Sequence, residues 1–263
     1  MNNISTVFER LKSQCAFIPF ITAGYPNLKI TEKAIQILDN EGADIIELGL
    51  PYSDPLADGP VIQEASSKAL INGVRNQEIF SMLARLIPSL KAPIILFSYY
   101  NPILSMGPEN FLRLISKIGV KGLLIPDLPL EESQDLLIIA KEYRIELIML
   151  IAPTSPINRI KAICEISQGC IYLVSSNGVT GSRKSFAINI QDIIVQIKNI
   201  TNLPIIIGFG ISKVEQIQEV KSLGIEGIVM GSAFVSALSS DKDIDLANFQ
   251  LLSRSSKQAI SLY

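Results

Sequence analysis

Eight short apolar runs, rich in β-branched residues, recur along the chain at 17–22, 44–50, 93–98, 122–126, 146–151, 170–175, 204–208 and 227–230. Segments of helical pattern separate them. Strands that alternate with helices form βαβ units with right-handed crossovers, and eight such units close into a (β/α)8 barrel, the TIM-barrel architecture of the α/β class. The runs are apolar nearly throughout, as parallel strands covered on both faces require. The intervening segments carry 3.6-residue spacing, with Ala34, Ile37 and Leu38 in one and Val214, Ile217, Val220 and Leu223 in another. Segments 61–72 and 77–90 place one helix more than a minimal barrel needs between the second and third strands. Val7, Phe8 and Leu11 predict a further N-terminal helix that plugs the barrel bottom. The 263 residues match one barrel, so a single domain over 1–263 is expected.

Composition removes several classes of function. A formal net charge of -2 gives no basic footprint for nucleic acid or an anionic membrane. The apolar stretches fall short of the roughly 20 residues of a membrane helix. The first residues lack a long apolar core and include Glu9, so no targeting segment is expected. The expectation is a soluble protein of the cytoplasm, or of the plastid stroma if plastid-encoded. Cys15, Cys164 and Cys170 are odd in number and form no CxxC pair, which points to a reducing compartment and away from a thiolate metal site. The chain has no histidine, so its chemistry falls to carboxylates, Tyr, Lys and backbone groups.

The second run carries a carboxylate at its centre. Alternation puts Ile45, Glu47 and Gly49 on one face and Ile46, Leu48 and Leu50 on the other. The aliphatic set suits the helix-facing side, which turns Glu47 into the barrel near its C-terminal end. Burial there raises a carboxyl pKa and keeps a proton in place, so Glu47 is a candidate general acid. A structural ion pair is the other reading, but the strands carry almost no basic residue. Asp54 and Asp58 follow in a loop stiffened by Pro51, Pro55 and Pro60. Loop aspartates commonly form turns or cap helices, yet this loop lies on the face where barrels of this kind hold their active sites.

Glycine-rich turns follow the last three strands: 177–182, 208–212 and 231–233. Glycine lets backbone N–H groups approach an anion, and a helix starting at Gly231 aims its dipole at one. A phosphate site is expected there. Phe20, Tyr99, Tyr100, Tyr172 and Phe209 gather at strand ends and suggest a pocket for a flat apolar group. Lys91 and Lys121 precede strands, at the barrel bottom, which disfavours a Schiff-base aldolase; Lys184 is the remaining exception.

The fragments 19–26 (PFITAGYP), 47–60 (ELGLPYSDPLADGP), 126–129 (PDLP), 152–155 (APTS) and 178–181 (GVTG) closely resemble the tryptophan synthase alpha subunit family. Fragments 208–211 (GFGI) and 231–233 (GSA) extend the resemblance over nearly the whole chain. It implies retro-aldol cleavage of indole-3-glycerol phosphate to indole and glyceraldehyde 3-phosphate. By resemblance, Glu47 protonates the ring carbon bearing the side chain and takes the glycerol hydroxyl proton, while Asp58 meets the ring N–H. Phe20, Tyr99, Tyr172 and Phe209 match positions around the indole, and Thr180 matches the residue that helps order Asp58. Gly181, Gly210, Gly231 and Ser232 match phosphate-binding positions. The resemblance also implies a PLP-dependent beta subunit in an alpha-beta-beta-alpha complex that receives indole through a tunnel, with Pro51, Asp54 and Pro55 at the interface. No cofactor or metal is expected in this chain. One departure is Ser175-Ser176-Asn177, where some members carry a basic residue.

Three other readings compete. A related isomerase or synthase of the same pathway would need a Lys or Cys at a strand end, and none is well placed. A purely allosteric activator is at odds with the intact Glu47 and Asp58. A stand-alone lyase releasing free indole fits the same residues.

Overall fold

Every position of β1 (Ala16–Thr22) is buried, because a barrel strand is covered by side chains inside and helices outside. The computed structural model describes residues 3–12, 14–174, 183–208, 214–240 and 246–261. The remaining strands are β2 (Ile46–Gly49), β3 (Ile94–Phe97), β4 (Gly122–Leu124), β5 (Glu146–Ile151), β6 (Ile171–Val174), β7 (Ile205–Gly208) and β8 (Gly227–Met230). Each pairs in parallel with the next and β8 returns to β1, so the barrel closes in chain order as expected.

The helices clad this barrel. They are α1 (Ile4–Leu11), α2 (Leu28–Asn40), α3 (Pro60–Ile71), α4 (Asn76–Leu86), α5 (Tyr100–Met106), α6 (Pro108–Ile118), α7 (Ser133–Glu142), α8 (Ile157–Ile166), α9 (Arg183–Lys198), α10 (Val214–Lys221), α11 (Ser232–Ser240) and α12 (Ala247–Ser261). The expected pair between β2 and β3 is α3 and α4. The structure adds α5, which the sequence pattern does not reveal. Its seven residues are too few to show a period, and Asn101-Pro102 inside it reads as a turn. Among the described residues no helix is long and apolar enough to cross a membrane.

As expected, α1 closes the barrel bottom. A Cβ placed on Gly122 of β4 would meet Ile95, Ile4 and Ile148 within 3.3 Å, so Ile4 reaches the floor of the barrel interior. Glu146 at the start of β5 accepts the Ile4 N–H at 2.6 Å, together with the Ser5 N–H and hydroxyl. A carboxylate is thereby held against the α1 N-terminus, where the helix dipole favours it.

Three more carboxylates bind the N-terminal ends of strands. Asp44 accepts the Phe17 N–H at 2.8 Å and pairs with Lys257 of α12 at 2.7 Å. Oδ1 of Asp39 accepts the N–H groups of Lys91 and Ala92 at 2.9 and 2.8 Å, and Glu226 accepts the Ile205 N–H and Lys198 at 2.8 Å each. The three cysteines are buried free thiols.

Candidate active site

Glu47 sits in β2 between Phe20 of β1 and Ile95 of β3 in register. Both faces of β2 are buried, and the Glu47 carboxyl lies near enough to Tyr172 of β6 to act on its phenol, which agrees with the inward face read from the alternation; the residue is 1 % exposed and its Oε2 has no hydrogen-bond partner among the described residues. Burial pushes its pKa up to about 8, and the Asp58 charge adds to the effect. The carboxyl therefore holds its proton at neutral pH.

The loop after β2 is fixed through its backbone. The Tyr52 N–H donates to Ser66 Oγ of α3 at 2.7 Å, and the Ser66 hydroxyl donates back to the Tyr52 carbonyl at 2.9 Å. The Asp58 N–H bonds the Pro55 carbonyl, and the Gln63 amide bonds the Asp58 carbonyl. Gly59 precedes α3, with Pro60 at its first turn and, among the described residues, no side-chain cap. Asp58 is thus free of the capping role that its position allows. Its Oδ2 accepts instead from the Tyr99 hydroxyl at 3.0 Å, and the same hydroxyl oxygen accepts the Ala57 N–H at 3.0 Å. Burial raises the Asp58 pKa to about 6 against the Tyr99 bond, which lowers it. Asp58 is ionised at pH 7 beside a protonated Glu47.

Aromatic rings line one side of this mouth. Phe20 meets Phe97 edge-on at 5.7 Å, Phe97 meets Tyr99 edge-on at 6.0 Å, and Tyr99 stacks on Tyr52 at 5.0 Å. Phe97 and Tyr52 are additions to the expected set. Alternation could have supplied Phe97, which shares a face with Tyr99; Tyr52 lies in a loop, where no period applies. Tyr172 is buried in β6 and leans over Gly208, where a Cβ would overlap its hydroxyl. Burial and the nearby carboxylates Glu47 and Asp58 raise its phenol well above the usual range.

Gly231 and Ser232 open α11, and the Gly231 carbonyl accepts the Val235 N–H. A Cβ on Gly231 would meet Phe20 at 3.3 Å and Ile62 at 3.4 Å, so this helix start abuts the aromatic row. Thr180, Gly181, Phe209 and Gly210, and the side chain of Lys184, lie outside the described residues. Pro51 is buried, Pro55 is half-buried and Asp54 is exposed.

The sequence profile of the tryptophan synthase alpha chain matches residues 8–261. This chain belongs to the tryptophan synthase alpha chain family. It is 53 % identical over 261 residues to the tryptophan synthase alpha chain of Pyropia yezoensis, covering 99 % of both chains. Tryptophan synthase from Mycobacterium tuberculosis superposes with a TM-score of 0.89 at 32 % identity, over 99 % of this chain and 98 % of that one. The tryptophan synthase complex from Pyrococcus furiosus superposes with a TM-score of 0.84 at 33 % identity, over 94 % and 99 %. The barrel and family expected from the sequence are both correct.

Proposed function

We propose that this member of the tryptophan synthase alpha chain family is a carbon–carbon lyase that cleaves indole-3-glycerol phosphate, residues 1–263 acting as one barrel domain. The observation that carries the reading is the pairing of a buried Glu47 that lacks a partner for Oε2 among the described residues, its pKa pushed up to about 8, with a half-buried Asp58 bonded to Tyr99, its pKa raised only to about 6. Two carboxyl groups driven to opposite protonation states supply an acid and an anion at the same pH. Glu47 delivers its proton to the ring carbon that bears the glycerol chain, and Asp58 balances the positive charge that develops at the ring N–H. The Glu47 carboxylate then removes the proton of the side-chain hydroxyl. The carbon–carbon bond breaks, its electron pair returns to the ring, a carbonyl forms, and Glu47 regains its proton. Phe20, Phe97 and Tyr99 offer apolar surface to the indole, with Tyr172 and Phe209 on the same reading. Gly231 and Ser232, with Thr180, Gly181 and Gly210, are assigned to loop ordering and the phosphate.

The partner in this proposal is a PLP-dependent beta subunit, bound as an alpha-beta-beta-alpha tetramer that takes up the indole; the PLP belongs to that subunit. Support comes from the rim beside Pro51, Asp54 and Pro55, where Leu56 is 82 % and Ile71 80 % exposed. The compartment, cytoplasm or plastid stroma, is part of the same proposal.

The test is indole release from indole-3-glycerol phosphate by the purified chain, alone and with a tryptophan synthase beta subunit. Slow release that rises strongly with the partner is expected; fast release indifferent to the partner would indicate a stand-alone lyase, and no release in either case would overturn the reading. The rate should trace a bell against pH. Asp58 must lose its proton, which sets an acid limb near its value of about 6, and Glu47 must keep its own, which sets a basic limb near about 8.

A further inference from the structure

Tyr52 is held from three directions. Both of its backbone polar groups bond Ser66 of α3, its ring stacks on Tyr99 at 5.0 Å with 26° between planes, and its hydroxyl accepts from the Asn101 amide at 3.3 Å. Its neighbour Tyr99 is bracketed by the Tyr52 stack on one side and the edge-on contact with Phe97 on another. The Tyr99 ring carries the hydroxyl that bonds both Asp58 and the Ala57 N–H, so the place of that hydroxyl depends on the ring being unable to swing. Phe97 lies in a strand and is buried. Tyr52 lies in the loop and is half-buried, so this wall of the bracket depends on the contacts that tie Tyr52 down rather than on burial in the barrel.

We infer that Tyr52 is a positioning residue of this site: through its stack on Tyr99 it holds the hydroxyl that fixes Asp58. The inference rests on the proposed cleavage only in giving Asp58 a chemical task. A stacked aromatic partner favours one orientation of the ring it faces, beyond the area the pair buries.

The electrostatic surroundings make this one hydrogen bond count. Among the described residues the titratable group that acts on Asp58 is Tyr99 after β3; Asp58 in turn acts on Glu47 from β2 and Tyr172 from β6, and Asp127 after β4 acts on Tyr99. None of these groups is basic. Among the described residues the Tyr99 hydroxyl is therefore the influence that opposes the burial of Asp58, and loosening it raises the pH at which Asp58 ionises.

The experiment is a carbon-13 titration of the Asp58 carboxyl in the intact, ligand-free chain, assigned with Asp58→Asn, for the wild type, Tyr99→Phe, Tyr52→Leu and Tyr52→Phe. It is paired with kcat/KM for indole release against pH. Tyr99→Phe should raise the midpoint by about one pH unit, the size expected for loss of a hydrogen bond to a charged group. Tyr52→Leu should move it the same way by at least half as much, and Tyr52→Phe, which keeps the stack, should restore the wild-type midpoint. The acid limb of kcat/KM should follow the same order. A Tyr52→Leu midpoint that superposes on the wild type overturns the inference, as does a fall in kcat/KM with the limb unmoved. If Tyr52→Leu does not fold, Tyr52→Met, which fills space without a ring, is judged by the same criteria. The titration needs no substrate, so failure of indole release would remove the proposed cleavage and leave this result to stand or fall alone.

Discussion

Carboxylates at the two ends of this barrel live under opposite rules. At the bottom, Asp39, Asp44, Glu146 and Glu226 each accept from backbone N–H groups, and Asp44 and Glu226 also pair with lysine. At the mouth, among the described residues, Glu47 has an oxygen without a partner and Asp58 accepts from a single phenol. Hydrogen bonds from backbone N–H groups and lysines hold the bottom set in place, where it stitches strands and helices together. Burial with few bonds leaves the mouth set poised to exchange protons. The bottom acids therefore contribute stability, while the mouth acids cost stability and provide reactivity.

The largest expected effect tests the mouth. Glu47→Gln should lower kcat by roughly 10²–10⁴, the usual contribution of a positioned acid or base. The same change should strengthen the fold at high pH. Because the folded pKa of Glu47 is raised from 4.5 to about 8, its contribution is fully present below about 4.5 and is lost as pH rises through about 8. Chemical denaturation above pH 8 should find the Gln variant more stable, by up to about 5 kcal/mol. A less stable variant there would break the contrast between the two ends.

Asp44→Ala comes next and tests the bottom. It leaves Lys257 and the Phe17 N–H without their acceptor and should destabilise the fold by about 3 kcal/mol in a urea titration. kcat per folded molecule should stay near the wild-type value. A smaller effect is expected at Gly49, where a Cβ would lie 2.6 Å from the Phe20 ring. Gly49→Ala should displace that ring and lower kcat/KM roughly tenfold, in line with ordinary overpacking costs. The smallest effect is at Asp39, where a single oxygen, Oδ1, accepts both backbone donors. Asp39→Asn keeps that acceptor and should change stability by less than about 1 kcal/mol, whereas Asp39→Ala should cost about 2 kcal/mol. Equal losses for the two would show that charge, rather than hydrogen bonding, matters at the bottom.

The barrel was legible because its strands are short, apolar and regularly spaced, and because closure in chain order needs no further information than the count of units. Glu47 was legible for a related reason: a period of two fixes which side of a strand each residue faces. Tyr99 was visible as an aromatic at a strand end, but its bond to Asp58, 41 residues away, exists only once the loop is folded over β3. Tyr52 carried no signal at all, since nothing in a loop sequence announces a stack. The bottom acids were equally silent. Asp39 sits near a helix end and Glu146 at a strand start, where carboxylates are ordinary, and only the fold reveals which N–H groups they meet.

The latch between α1 and Glu146 joins residues 142 apart in the chain. Synthesis at about 5–20 residues per second separates the appearance of its two halves by roughly 7–30 s. During that interval Ile4, Val7 and Phe8, all buried in the finished molecule, have no floor to cover. Helix α1 therefore waits for its place until the chain has grown past β5, and its apolar face needs shelter until then.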